Sequence, residues 1–304
     1  MIADAVSPLV RRNTTNMGRI VCALALVLCG VFLPRQSFAF AFTSLNSTGD
    51  DVVTNQTSGA PITWLSSFVT VFVGFGAFPP GFMASNGSSS WDQNALQTLQ
   101  EWNAVAGSRF SFTGVPRGGS LCGPPDGEVH SGWDSDNCGL GFGDAIALTR
   151  IWYLTGGQGA ILDTDVRFNT ALNWDAYDGP TRVTPGGVVY DFRRTVLHEY
   201  GHVLGLGHPD MAGQTVLAVM NATFGPGSDP DRLTVDDKNG VIALYTSAES
   251  QDEGGGGGGS SFDAGLITLI LLVSGLRSRR DRKARLQRRS VIGLQRGGVI
   301  SLDK

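Results

Sequence analysis

The sequence predicts an α+β fold, with a twisted mixed sheet and three main helices. Three segments support this prediction. PITWLSSFVTVFVGF (61–75) is rich in β-branched and aromatic residues, as strands are. Trp91–Phe112 begins with the apolar periodicity of an amphipathic helix and leads into a second strand. FRRTVLHEYGHVL (192–204) has helical character and carries two histidines four residues apart.

The charges of the chain are strongly segregated. The 304 residues include 41% apolar residues, enough for a sizeable core. Between residues 42 and 253 there are 9 basic and 23 acidic residues, whereas residues 277–304 hold 10 basic and 2 acidic residues. Nucleic-acid binding needs a basic surface that neutralises phosphates. The acidic body therefore excludes nucleic acid as a partner.

The N-terminal region has the layout of a secretory signal peptide. Three arginines precede an apolar run at 20–33, and SFAFAF then places Ala39 and Ala41 at small-x-small spacing. We expect cleavage after Ala41, which makes residues 1–41 the signal and exports the protein. A retained membrane helix is the alternative, but this run is short for a span of about 20 residues.

The C-terminal region has the layout of a sorting signal. GGGGGGSS (254–261) is a flexible linker, Ala264–Leu276 is a short apolar segment and Arg277–Arg289 is a basic block. This order resembles the bacterial GlyGly-CTERM sorting tail, although such tails usually stop soon after the arginines. The resemblance implies that residues 262–304 enter the membrane transiently and are removed near the glycines. A permanent anchor is the alternative.

The remaining domain, residues 42–253, contains two cysteines, Cys122 and Cys138. An even pair in an exported protein is most simply one disulfide.

Three of the four histidines of the chain lie within eleven residues, in HEYGHVLGLGH. Asp191 can cap the helix before them. His198 and His202, four apart, face the same side of that helix and can hold one zinc ion. Gly205 can take a positive φ, which ends the helix and returns His208 to the same metal. Three nitrogen ligands leave a fourth position open, as in a catalytic zinc site.

The eleven residues match the H-E-x-x-H-x-x-G-x-x-H signature of the metzincin metallopeptidases. The resemblance implies that Glu199 is the general base and that a methionine turn follows. Met220 is the predicted turn methionine, because Met211 lies too close to His208.

Further segments resemble the matrixins, over about Pro61–Tyr245, in the same order. The helix from Trp91, with Ala95, Leu99, Trp102 and Ala106 on one face, is similar to their first helix. Ile161–Asn169 resembles their edge strand above the cleft, and Arg232–Tyr245, with Thr234 as N-cap, resembles their final helix. The resemblance implies a zincin-like fold with an active-site cleft.

Some features depart from the matrixin pattern. Matrixins hold a second, structural zinc through three further histidines, and only His130 lies outside the signature here, so we expect one zinc ion. CGPPD (122–126) resembles their cysteine switch but follows the first helix, which favours the disulfide instead. Five aspartates allow a calcium site, with an acidic solvated face as the alternative: Asp134, Asp136, Asp144, Asp163 and Asp165.

The resemblance implies a zinc-dependent endopeptidase that cleaves extracellular proteins. Its substrate would lie extended along the strand at 161–169, and the export and sorting machinery of the membrane would be its other partner. We expect a monomer. The alternatives are a non-catalytic zinc-binding surface protein and a permanently membrane-anchored peptidase.

Overall fold

The segments predicted as strands and helices appear in the expected order, together with further strands that the sequence did not predict. The strands are β1 (Phe42–Leu45), β2 (Val52–Gln56), β3 (Phe68–Gly74), β4 (Ser111–Pro116), β5 (Val129–Asp134), β6 (Ala147–Leu154), β7 (Ala160–Asn169), β8 (Trp174–Asp175), β9 (Arg182–Thr184), β10 (Gly187–Asp191) and β11 (Arg296–Ser301). The helices are α1 (Trp91–Asn103), α2 (Phe192–Val203) and α3 (Val235–Tyr245).

The computed structural model describes residues 39–105, 107–155, 159–223, 230–246 and 296–301. Contacts divide the chain into two units, Met1–Ser37 and Phe38–Lys304, and every described residue belongs to the second. Most of the predicted signal peptide, the glycine linker and the apolar and basic segments of the tail lie outside the described residues. Within the described ranges, no helix is both long and apolar enough to cross a membrane.

The main sheet has the strand order β11-β6-β7-β5-β3-β4. Strands β4, β3, β5 and β7 pair in parallel, whereas β6 runs antiparallel to β7 and β11 antiparallel to β6. The predicted α+β architecture with a mixed sheet and three helices is confirmed within the described residues.

The prediction for the edge strand was wrong. Ile161–Asn169 belongs to β7, which is paired on both sides, with β5 and with β6. The antiparallel strand on the outer side is β6, and its outer edge pairs with β11. Most residues of both β6 and β7 are buried, so burial gives no sign of which strand lies farther out.

Side-chain caps lie at the starts of α1 and α3. Ser90 accepts the N–H of Gln93 before α1, at 3.0 Å. Thr234 precedes α3 in a reciprocal capping box with Asp237. On α1, Ala95, Leu99 and Trp102 are buried, as the periodicity predicts, and Ala106 lies outside the described residues. The predicted N-cap of α3 is therefore correct.

An aromatic cluster fixes the start of α2. Phe192, its first residue, is fully buried, and five rings have centroids 4.9–6.4 Å from its own: Phe75, Trp91, Trp133, Phe168 and Trp174. Large aromatic side chains bury about 150–250 Å² each. This packing ties α2 to α1 and to the sheet.

Two small sheets complete the described fold. β1 and β2 form an antiparallel hairpin near the N-terminus. β10 pairs with both β8 and β9 and leads directly into α2. The strand that leads into α2 is thus paired on both sides.

Candidate metal centre

Helix α2 carries the first two histidines of the candidate site. The carboxylate of Asp191 accepts the N–H of Arg193 at 3.1 Å and so caps the helix, as predicted. Burial raises the pKa of the Asp191 carboxyl to about 7, and Arg194 opposes that rise. His198 and His202 are fully buried on one face of this helix.

A tight turn brings the third histidine back to the helix. Gly205 has a φ of +95°, a conformation that favours glycine, and its N–H donates to His202 O at 2.9 Å. The N–H of Leu206 donates to Gly201 O at 3.0 Å, so the chain reverses within one turn. His208 then lies with its Nε2 3.1 Å from that of His198 and 3.0 Å from that of His202.

The hydrogen bonds of the rings define their tautomers. His198 Nδ1 lies 2.7 Å from Val219 O, and His202 Nδ1 lies 2.8 Å from Leu206 O. A carbonyl only accepts, so both Nδ1 atoms carry the proton and both Nε2 atoms present a lone pair. These two Nε2 atoms are only 2.8 Å apart. Facing lone pairs at this separation fit a shared cation, and carbonyl-oriented imidazoles are the usual ligands of zinc.

The site favours uncharged imidazoles. Burial lowers the pKa of His198 well below its ordinary value, and the neighbouring His208 lowers it further. The pKa of His202 is lowered for the same reasons, first by burial and then by the other two histidines. Neutral imidazole is the form that binds a metal ion. The described residues thus fit one zinc ion, held by three histidines.

Glu199 follows His198 on α2 and is fully buried. Thr149 of β6 donates its hydroxyl to Glu199 Oε2 at 2.5 Å. Burial raises the pKa of the Glu199 carboxyl to about 8, while Thr149 and the more distant Arg167 lower it. A cation nearby favours the ionised form of a carboxyl. The carboxylate is therefore both held in place and sensitive to the charge of the metal centre.

Met220 lies against α2, as the methionine turn predicts. A Cβ added at Gly201 would lie 2.2 Å from Met220 Sδ and 3.1 Å from Trp102 Cζ2, so only glycine leaves room there. The residue before Met220 supplies the carbonyl that orients His198. Met220 and its turn therefore support the base of the histidine cluster.

Asp237 of α3 is a functional residue that sequence reasoning did not identify. Its carboxylate accepts the N–H groups of Val219 and Met220, at 3.0 and 3.1 Å. Burial raises its pKa, and these hydrogen bonds oppose the rise. The Thr234-x-x-Asp spacing marks Asp237 as a capping residue, but no sequence pattern links it to a turn 17 residues earlier.

Cys122 and Cys138 form a disulfide in the structure. Arg167, which is almost fully buried, has Nη1 2.8 Å from Cys138 Sγ. Cys122 is therefore bonded to another cysteine and is not a thiol ligand of the histidine site.

The five aspartates proposed for calcium do not form one cluster. Asp134 pairs with Asn169, four residues along β7 from Asp165, which corresponds to about 13 Å. Asp136 lies in the loop after Asp134 and donates its N–H to that carboxylate. That five-residue site is therefore not assembled.

Asp163 and Asp165 instead lie near Asp126, whose N–H donates to Asp163 Oδ2 at 2.8 Å. His130, the histidine outside the signature, is buried beside Glu128, with 3.3 Å between Nε2 and the carboxylate. Asp126, Glu128 and His130 form a second group of candidate metal ligands within the described residues.

Comparison with protein families gives one match. A family model described as Matrixin matches residues 126–246. The matched range contains the three histidines, Glu199, Met220 and Asp237, and it begins after β3, α1 and β4. A search of curated proteins found no match to the chain.

Proposed function

We propose that this protein is an endopeptidase that cleaves extracellular proteins. The matrixin match over residues 126–246 supports a matrixin-like metzincin with a zincin-like fold, and a zinc metallopeptidase in general. One observation carries the proposal. Glu199 is a fully buried carboxylate beside three imidazoles whose nitrogens converge, and Thr149 holds it there.

His198, His202 and His208 would hold one zinc ion. When bound, zinc supplies a Lewis acid that activates water and polarises a carbonyl. Glu199 accepts the proton of the attacking water and passes it to the leaving amine. Thr149 keeps the Glu199 carboxylate oriented during both transfers, since its hydroxyl donates to Oε2.

A non-catalytic zinc-binding protein is the competing function. A structural metal site has no need of a buried carboxylate next to its ligands, and burying an ionisable group is costly. The full burial of Glu199 and its hydrogen bond to Thr149 favour catalysis.

We propose that the substrate binds as an extended strand on the outer edge of β6. Thr149 of β6 contacts Glu199, so this edge leads to the candidate site. Antiparallel strand addition uses the backbone hydrogen bonds of such an edge. Residues Arg296–Ser301 pair with the same edge, and Ile300 lies opposite Thr149. A substrate strand would therefore compete with the tail.

We propose that the protein acts outside the cell, after export through the signal peptide and removal of the tail near Gly254–Ser261. The β11 pairing requires residues 296–301 on the same side of the membrane as the catalytic domain. The β11 pairing therefore cannot occur in a molecule whose basic block, Arg277–Arg289, is held in the cytoplasm. Cleavage in the glycine linker removes the tail in either arrangement and frees the β6 edge.

We also propose a calcium site narrower than the five-aspartate set, at Asp126, Asp163 and Asp165. Asp163 and Asp165 are at least nine-tenths buried, and each has a carboxylate oxygen without a hydrogen-bond partner among the described residues. Burial raises the pKa of Asp165, and the negative charges of Asp163 and Asp126 raise it further. Carboxylate oxygens are the ligands that calcium prefers.

The test of the function is Glu199→Gln, together with Glu199→Ala, in protein ending at residue 253. We expect full zinc content and a loss of at least about 10²-fold in hydrolysis of a peptide library, since the ligands remain and the base is gone. Asp144→Asn, an exposed carboxylate, is the matched control. Activity of both variants within tenfold of the unmodified protein would exclude this mechanism.

A further inference from the structure

The N-terminal hairpin is bound to the loop that carries the third histidine. We call residues 41–56 the N-terminal strap. The N–H of Gly207 donates to Ala41 O at 2.8 Å, and the N–H of Thr43 donates to Gly205 O at 2.9 Å. Phe42 forms an antiparallel bridge with Leu206. The strap thus adds a strand to the segment between His202 and His208.

Asn55, near the end of β2, makes the contact nearest to the metal centre. Its side-chain Oδ1 accepts the backbone N–H of His208 at 2.7 Å. Asn55 has a φ of +56°, in the left-handed region, which asparagine tolerates better than other side chains do. A Cβ added at Gly207 would lie 3.0 Å from the backbone nitrogen of Asn55 and 3.1 Å from its Cα, so the two backbones are in close contact.

The loop needs such support because of its composition. Gly205 and Gly207 flank Leu206, and glycine loses more backbone freedom on ordering than other residues do. His208 is the only one of the three candidate ligands that lies outside α2, so the helix does not fix its position.

We propose that Asn55 is a positioning residue for His208, and that the strap holds the third metal ligand against α2. This inference rests on the proposed zinc site. Partners that orient metal ligands typically contribute about 10–100-fold to metal affinity. The strap comes from a part of the chain before the matrixin match.

The test measures zinc affinity directly, by competition with a chromophoric chelator, on purified protein that retains the strap. Asn55→Gly keeps the left-handed backbone and removes the acceptor, and we expect at least tenfold weaker binding. Asn55→Asp keeps an oxygen acceptor and should stay within about threefold of the unmodified protein. The visible absorption of the cobalt-substituted protein should change in Asn55→Gly only.

Asn46→Gly is the matched control. Asn46 lies in the turn of the same hairpin, and its Oδ1 accepts the N–H groups of Asp50 and Asp51, at 3.2 and 3.3 Å. Equal losses in the two glycine variants would assign the effect to hairpin folding and overturn the proposal. Unchanged affinity in Asn55→Gly, or a tenfold loss in Asn55→Asp, would also overturn it. Failure of the unmodified protein to bind zinc would instead refute the proposed function.

A separate observation concerns the end of the signal peptide. Ala41 is fully buried, and the Phe40 side chain lies against α3, since a Cβ added at Gly240 would be 3.2 Å from Phe40 Cβ. Cleavage after Ala41 would remove both residues and the hydrogen bond from Gly207 to Ala41 O. We infer that export cleaves after Ala39, where Ser37 and Ala39 also have small-x-small spacing.

Mass spectrometry of the exported protein tests this second inference. We expect Phe40 as the first residue of the mature chain, and most molecules starting at Phe42 would overturn it. A chain made to start at Phe42 should also have a lower melting temperature than one that starts at Phe40. Equal melting temperatures would contradict the packing argument.

Discussion

Glu199 shows how a neighbouring element determines the chemistry of a single residue. The helix places the carboxylate next to His198, but its hydrogen-bond donor comes from Thr149 on β6. A buried carboxylate without a donor would have a higher pKa and less fixed orientation. Thr149 is therefore the residue on which the function of Glu199 depends most directly.

Thr149→Val should lower kcat/KM by about 10–100-fold, because a hydrogen bond to a charged group contributes about 1.5–3 kcal/mol. Zinc content should not change, since Thr149 is not a ligand. Thr149→Ser keeps the hydroxyl and should remain within a few-fold of the unmodified protein. If Thr149→Val were as active as Thr149→Ser, the hydroxyl would have no role in catalysis.

Asp165 predicts a pH dependence of stability. Burial and the charges of Asp163 and Asp126 raise its pKa to about 7, from 3.8. The folded state therefore binds the proton more tightly, and its stability falls as pH rises from about 4 to about 7.

Asp165→Asn cannot ionise, so without calcium it should be more stable than the unmodified protein at pH 8, by roughly 1–3 kcal/mol. At pH 4 this advantage should disappear. Millimolar calcium should stabilise the unmodified protein at pH 8 and reduce or reverse the difference. Denaturant titrations at both pH values, with calcium or with EGTA, measure this. A variant that is less stable at pH 8 in EGTA would contradict the prediction.

At the scale of elements, α2, the methionine turn and α3 form one interlocked unit. Asp237 on α3 binds the backbone of the turn, Val219 in the turn orients His198, and Met220 packs on Gly201 of α2. A shift of α3 would therefore move a metal ligand without touching it.

Gly201→Ala tests this packing. Alanine favours a helix by up to about 1 kcal/mol, but overpacking typically costs about 1–3 kcal/mol. Trp102 closes the other side of the pocket, so we expect net destabilisation, measured by chemical denaturation. In Met220→Ala the added methyl group has room, so the double variant should lose less stability than the sum of the two single variants. Strict additivity would show that the two side chains do not compete for space.

At the scale of the whole molecule, the tail determines whether the outer edge of β6 is open. β11 pairs with β6 from Tyr153 to Leu148, and this paired stretch includes Thr149. An open edge strand presents unpaired backbone groups that bind another strand. Tail and substrate are thus expected to bind the same groups of β6.

Protein that ends at residue 253 should therefore have at least a fivefold lower KM for a quenched peptide than the chain that continues to Lys304, both assayed in the same detergent. A synthetic peptide of residues 290–304 should inhibit the shorter protein competitively, and a scrambled peptide should not. Identical KM values for the two proteins, together with no inhibition by the peptide, would show that the tail does not compete with substrate at the edge of β6.

The sequence by itself determined the features that depend on local spacing. The start of α2 at Asp191, the turn at Gly205 and the meeting of the three histidines are set within 18 residues, by helical periodicity and one positive φ. The N-cap of α3 at Thr234 is local for the same reason. These features could be predicted from neighbouring residues alone.

Only the tertiary structure decided the contacts between distant segments. Thr149 and Glu199 are 50 residues apart, and Asn55 and His208 are 153 apart. It also placed β6 beyond β7, with β11 on the outer edge of β6. Two strands with similar burial patterns do not specify their order, because strand order depends on how every loop closes and on which faces the helices cover. Residue type and spacing therefore determined the chemistry of the ligands, and long-range packing determined what orients them.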